Sequence, residues 1–129
     1  MNNQTTITFI KLGALMMALS VAFGAFGAHA LKNVLDEHMT KVYHTAVEYQ
    51  FYHSLGMFVV AFVSYINNDK KVKIAGFLMV ISTAIFCGSL YAMTITEIKW
   101  LGAITPIGGV GFIISWIILL LSLNSNLNK

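Results

Sequence analysis

Four continuous apolar runs constrain this chain more than any other feature: about Phe9 to Ala28, Tyr49 to Ile66, Ile74 to Met93 and Leu101 to Leu123. Each is close to or beyond the roughly 20 residues that a helix needs to cross a hydrocarbon core. Apart from Lys11, near the start of the first run, they hold no Asp, Glu, Lys or Arg. A membrane barrel would show alternating polarity in short segments, and an open sheet in lipid would strand its backbone polar groups. The runs therefore predict an all-α fold: a four-helix transmembrane bundle forming one integral membrane domain over residues 1–129, with spans near 9–28, 49–66, 74–93 and 101–123.

Composition agrees. With 57% hydrophobic and 10% charged residues and a mean hydropathy of +0.76, the chain has too little polar surface to coat a soluble domain of its size. A net charge of +3 would suit a nucleic-acid partner, but the chain has no Arg and its eight Lys are scattered between the apolar runs. The excess is better read as topology, with the lipid bilayer as partner and no nucleic acid. Cys87 is the sole cysteine, so a disulfide within the chain is excluded.

The connections differ in length and charge. "NNDKKVK" (Asn67 to Lys73) and "TITEIK" (Thr94 to Lys99) are short and imply antiparallel hairpins. The segment between the first two runs is longer, has no Pro or Gly, and repeats apolar residues at helical spacing through Leu35, Met39, Val42 and Tyr43. It reads as an interfacial amphipathic segment continuing into the second span. Lys11, Lys70, Lys71, Lys73 and Lys129 fall on one side of such a bundle, and Lys32, Lys41 and Lys99 on the other among four acidic residues. The lysine-rich side is expected to be cytoplasmic, with both termini there, in a bacterial cell membrane.

Ala28-His29-Ala30 has the small-residue pattern of a signal-peptidase site. The expectation is nevertheless that the first run stays as a membrane helix, because it is longer than the 7–15 apolar residues of a signal core and lacks a basic segment before Lys11. Ser20, Gly24 and Ala28 then form a small-residue ladder suited to close helix approach. Gly24, Gly27, Gly88, Gly108, Gly109 and Gly111 are expected helix-packing positions. Pro106 has two readings. Thr105 caps the fourth helix with Pro106 in its first turn, or the helix starts near Leu101 and Pro106 kinks it.

"GAFGAHALK", "TAVEYQFYHSLG", "FCGSLYAMTIT" and "LGAITPIGGVGFIISWIILL" resemble the signatures of the YgdD/YwdK-like family of small multi-pass bacterial membrane proteins. The resemblance covers nearly the whole chain, with Ala30 standing where the family pattern is expected to have Gly. It implies four transmembrane helices and no particular reaction.

Chemistry is concentrated in one window that holds all four histidines. His44, Glu48 and Tyr52 share a helix face, and His44 and Glu48 at i, i+4 are spaced to hydrogen-bond or to offer two ligands to a metal. His29 and His53 complete a candidate polar cluster, and Glu48 is expected to have a protein partner. The alternative is a set of residues at ease among headgroups, since no closed ligand set such as H-E-x-x-H is present and no cofactor is implied. The function expected first is a non-enzymatic interaction or structural subunit that forms a homo-oligomer. A small transporter or channel made by oligomerisation comes second, and a membrane enzyme or metal site at the His/Glu cluster third.

Overall fold

In the computed structural model, which describes residues 3–124, the chain is all-helical. The helices are α1 (Asn3–His29), α2 (Glu37–Ile66), α3 (Lys70–Thr96) and α4 (Thr105–Asn124), with a short 3-10 helix, Lys99–Ala103, leading into α4. Lys129 lies outside the described residues.

Local chemistry sets the boundaries. Asp36 caps α2 by accepting a hydrogen bond from the Met39 amide at 2.7 Å, the arrangement that satisfies an otherwise orphaned N–H of the first turn. From that cap α2 runs without a break through the amphipathic segment to Ile66. Asp69 caps α3 in the same way, through the Lys71 amide at 2.8 Å. Glu97 ends α3 in the left-handed conformation, φ 59° and ψ 15°, where its amide returns to the Met93 carbonyl. Of the two starts open to α4, the structure has Thr105, with Pro106 in the first turn, where a missing N–H costs nothing. The Thr105 hydroxyl lies 2.6 Å from that of Ser89, so it ties the start of α4 to α3.

The helices pack as antiparallel neighbours. Thr6 meets Ser64 at 2.9 Å at one end of the α1/α2 pair. Toward the other end the Tyr43 hydroxyl donates to the Phe23 carbonyl at 2.5 Å. α2 and α3 form the inner pair; α1 lies on α2 and meets α3 through the rings of Phe9 and Phe23, while α4 lies on α3 and reaches α2 through Phe112 and Trp116. Phe9, Met57, Val60, Val72, Met79 and Leu119 pack together toward the lysine-rich end, and Met39, Ala46, Cys87, Leu90 and Met93 toward the other.

The surface differs from that of a soluble bundle. Ser20, Gln50, His53, Ser54, Ser82, Thr83 and Ser115 are buried, while Leu15, Val21, Phe62, Ile81, Ile113 and Leu120 are exposed. Apolar residues over much of the outer face fit a lipid solvent, and buried polar residues among the apolar core provide hydrogen bonds between helices where lipid gives no hydrophobic drive for association. Ser115 donates to the Ala75 carbonyl at 2.6 Å and Asn67 to the Ser122 carbonyl at 2.9 Å, pinning α4 to α3 and to the end of α2. Among the described residues, three segments can cross a membrane by length and composition: Gln4–His29, Lys70–Thr96 and Lys99–Asn124. α2 is long enough, but polar residues such as Gln50, His53, Ser54 and Ser64 dilute its apolar stretch.

The expected packing glycines separate into three groups. A Cβ on Gly108 would stand 2.6 Å from the Phe86 amide nitrogen, and one on Gly111 would collide with the Ser82 hydroxyl. Gly27 lies under the Tyr43 ring, with no room for a side chain. Gly24 and Gly109 have only ordinary contacts, with Val47 and the Phe86 ring. Gly88 does not pack within the bundle. A Cβ there would meet nothing within 4 Å, because α1 stands away from that face of α3.

Candidate functional site

The five residues singled out in the sequence do not converge. His29, His44, Glu48 and Tyr52 are exposed, whereas His53 is buried. Residues 44, 48 and 52 lie on one stripe of α2, and position 53 is rotated about 100° further round the axis. That rotation turns its imidazole toward α4. Among the described residues no group of three His, Cys, Asp or Glu side chains could hold a metal ion. Glu48 makes no hydrogen bond or ion pair among the described residues, so the partner expected for it is not provided by the bundle.

His53 instead belongs to a polar layer through the bundle. Its Nδ1 lies 2.8 Å from the Tyr49 carbonyl oxygen, and its Nε2 is 3.2 Å from the indole nitrogen of Trp116. A carbonyl can only accept and an indole N–H can only donate. The ring is therefore neutral, with its proton on Nδ1. Its face stacks on Phe112 at a centroid separation of 3.5 Å and an interplanar angle of 13°.

One turn away Gln50 joins three helices. Its amide nitrogen donates to the Met16 carbonyl of α1 at 3.1 Å, and its oxygen accepts from the Tyr91 hydroxyl of α3 at 2.7 Å. Ser54 donates to the Gln50 carbonyl at 2.6 Å. Beside this bridge is a cleft of about 250 Å³ between α1 and α3, bounded by Leu19, Val80, Ala84, Cys87 and Gly88. Among the described residues every buried side-chain nitrogen and oxygen has a partner. The layer is thus committed to holding helices together.

Sequence reading missed Gln50, Tyr91 and Trp116. Gln50 was the detectable one, an amide inside an apolar run, where an unpaired polar group costs several kcal/mol. The assignment of its partners needed the helix register.

The surface site with chemistry still uncommitted is the groove beside Glu48. Ser20, Val21, Gly24 and Ala25 of α1 and Val47, Phe51 and Tyr52 of α2 line a shallow apolar trough of about 590 Å³, with Glu48 on it. Ser20 donates to the Val47 carbonyl at 3.3 Å, so Glu48 is level with α1 residues five to nine positions before His29. At 1.5 Å per residue that is roughly 7 to 14 Å inside the end of α1.

The comparisons with known proteins agree with the membrane architecture. The family described as "Protein of unknown function (DUF423)" matches residues 23–109. The UPF0382 membrane protein YwdK of Bacillus subtilis (strain 168) is 48% identical over 115 residues, covering 88% of this chain and 94% of its own. The UPF0382 membrane protein SH2409 of Staphylococcus haemolyticus is 45% identical over 114 residues, with 88% and 93% covered. A UPF0382 membrane protein of Staphylococcus epidermidis is 43% identical over the same length. No solved structure matches the chain.

Proposed function

The chain belongs to the DUF423 family, whose relatives are named membrane proteins, and we propose that it works there as an interaction subunit, with the Glu48 groove receiving a helix of another membrane protein. The observation that carries this reading is Glu48 itself. Ionised or protonated, a carboxyl group at that depth on the outer face needs hydrogen-bonding partners, since exposure to hydrocarbon costs several kcal/mol. The bundle offers it none among the described residues. The small side chains of Ser20, Gly24 and Ala25 let an incoming backbone come close. The partner chemistry is an apolar helix bearing a Lys, Arg or His level with Glu48.

The accompanying topology has four crossings of a bacterial cell membrane, α2 included, with both termini cytoplasmic. α2 is held within the bundle by Gln50 and His53, which supports counting it as a crossing despite its diluted hydropathy.

Photo-crosslinking in native membranes tests the reading. A photoreactive residue at Val21, on the groove, should give a protein adduct of discrete mass, and one at the exposed Ile113 should not. Glu48→Gln should weaken the Val21 adduct and Glu48→Asp should largely keep it. An adduct of twice the chain mass would make the partner a second copy. Equal behaviour of Val21 and Ile113, or indifference to Glu48→Gln, refutes the groove as the docking site.

A further inference from the structure

A second surface carries charge of the opposite sign, at the other end of the molecule. Lys70 and Lys73 stand at the start of α3 above a shallow groove of about 430 Å³ whose walls are Ile74, Phe77, Leu78 and Ile81. The spacing puts all six on one face of the helix. From Lys70 to Ile81 the stripe is roughly 17 Å long at 1.5 Å per residue, close to one leaflet, which is about half of the 30 Å hydrocarbon core.

Phe77 meets Phe9 of α1 edge-on at 5.3 Å, so the groove is braced from α1. Lys73 is half-buried and lines the groove, as suits a long lysine stem on apolar surface. The ammonium groups of Lys70, Lys71 and Lys73 have no ion pair or hydrogen bond among the described residues. The neighbouring carboxylate, Asp69, accepts from the Lys71 amide as the α3 cap. Three cations against one anion leave this end of the helix positive, and the N-terminus of α3 adds its partial positive charge.

We propose that this face binds one anionic phospholipid, with the headgroup phosphate between Lys70 and Lys73 and an acyl chain along Ile74, Phe77, Leu78 and Ile81. Charge complementarity selects the headgroup. The apolar groove directly beneath the two ammoniums distinguishes a lipid from a free anion, which would gain nothing from it. This site is separate from the Glu48 groove and stands without it.

The test is native mass spectrometry of the full chain in neutral detergent, titrated separately with phosphatidylglycerol, phosphatidylcholine and inorganic phosphate. Phosphatidylglycerol should bind in a one-to-one complex, while phosphatidylcholine and phosphate should give none at the same concentration. Each juxtamembrane lysine contributes about a five-fold factor in affinity for an anionic headgroup, so the double variant Lys70→Gln, Lys73→Gln should bind about twenty-five-fold more weakly. The double variant Lys32→Gln, Lys41→Gln should bind like the wild type. Ile81→Asn should weaken lipid binding while leaving all the lysines in place, and unfolding in lipid-free detergent checks that each variant retains its fold. Equal binding of the two lipids, unchanged binding by the Lys70/Lys73 variant, or binding of phosphate alone would each overturn the proposal.

Discussion

Trp116 of α4 donates its indole N–H to Nε2 of His53 on α2 at 3.2 Å. The bond adds a polar link to the stacking of Phe112 on His53 and Tyr49, so it reinforces a direct contact between α2 and α4. Trp116→Phe keeps an aromatic ring but leaves Nε2 without its donor inside the bundle, at an expected cost of about 1–3 kcal/mol. Thermal unfolding in detergent measures it. Adding His53→Phe to that variant should cost less than His53→Phe alone, since removing both partners leaves nothing unpaired. Full additivity of the two changes would refute the coupling.

Two glycines on facing helices should respond in opposite ways. At Gly108 a methyl group would press on the Phe86 backbone, with its Cα at 2.9 Å and its amide nitrogen at 2.6 Å, and backbone cannot swing aside. Gly108→Ala should destabilise by about 1–3 kcal/mol, the usual range for overpacking. Gly88 faces open space on α3, so Gly88→Ala should be stabilising by up to about 1 kcal/mol through helix propensity alone. A loss of stability at Gly88 in membranes but not in detergent would indicate a further helix against the α1/α3 cleft.

The contrast between those glycines marks how much of the fold was legible in the sequence. Run length and short polar connections were enough for the helices and their antiparallel order, because the bilayer requires every backbone group to be satisfied within a helix. Gly108 and Gly111 were recognisable as close contacts from their clustering beside Pro106. Gly13, Gly56 and Gly76 are also closely packed, against Met57, Trp116 and Phe9, yet none of them is clustered with other glycines. Only the register between helices distinguishes them from Gly88. The candidate site failed for the same reason. Spacing along α2 placed His44 and Glu48 on one face, but nothing in one helix could reveal that His53 looks inward to α4 or that Glu48 looks out.

Glu97 holds the left-handed conformation at the end of α3, the sole residue with a positive φ among those described. Non-glycine residues are strained there, and glycine is the usual solution at such a helix end. Glu97→Gly should therefore raise stability by up to about 1 kcal/mol despite removing a side chain. Unfolding by denaturant in mixed micelles measures this, and a clear loss would show that the Glu97 carboxylate has a stabilising role outweighing the strain.

The last prediction fixes the direction of the bundle. The start of α1, the turn at 67–69 and the end of α4 lie at one end, as the Thr6–Ser64 and Asn67–Ser122 hydrogen bonds require. That end also carries Lys70, Lys71 and Lys73, and lysines beside a crossing resist translocation. The opposite end holds Asp36, Glu37 and Glu97, which exert little influence of their own. Cysteine labelling on a Cys87→Ala background can read the direction, because Cys87 is buried among Leu90 and Met93 and its removal leaves the surface unchanged. With a membrane-impermeant maleimide, Lys70→Cys should stay unlabelled in intact cells and react after permeabilisation, while Glu37→Cys should react at once. The reverse pattern would invert the bundle and place the Lys70/Lys73 face in the outer leaflet. Protection of both positions in intact cells would instead argue that α2 does not cross.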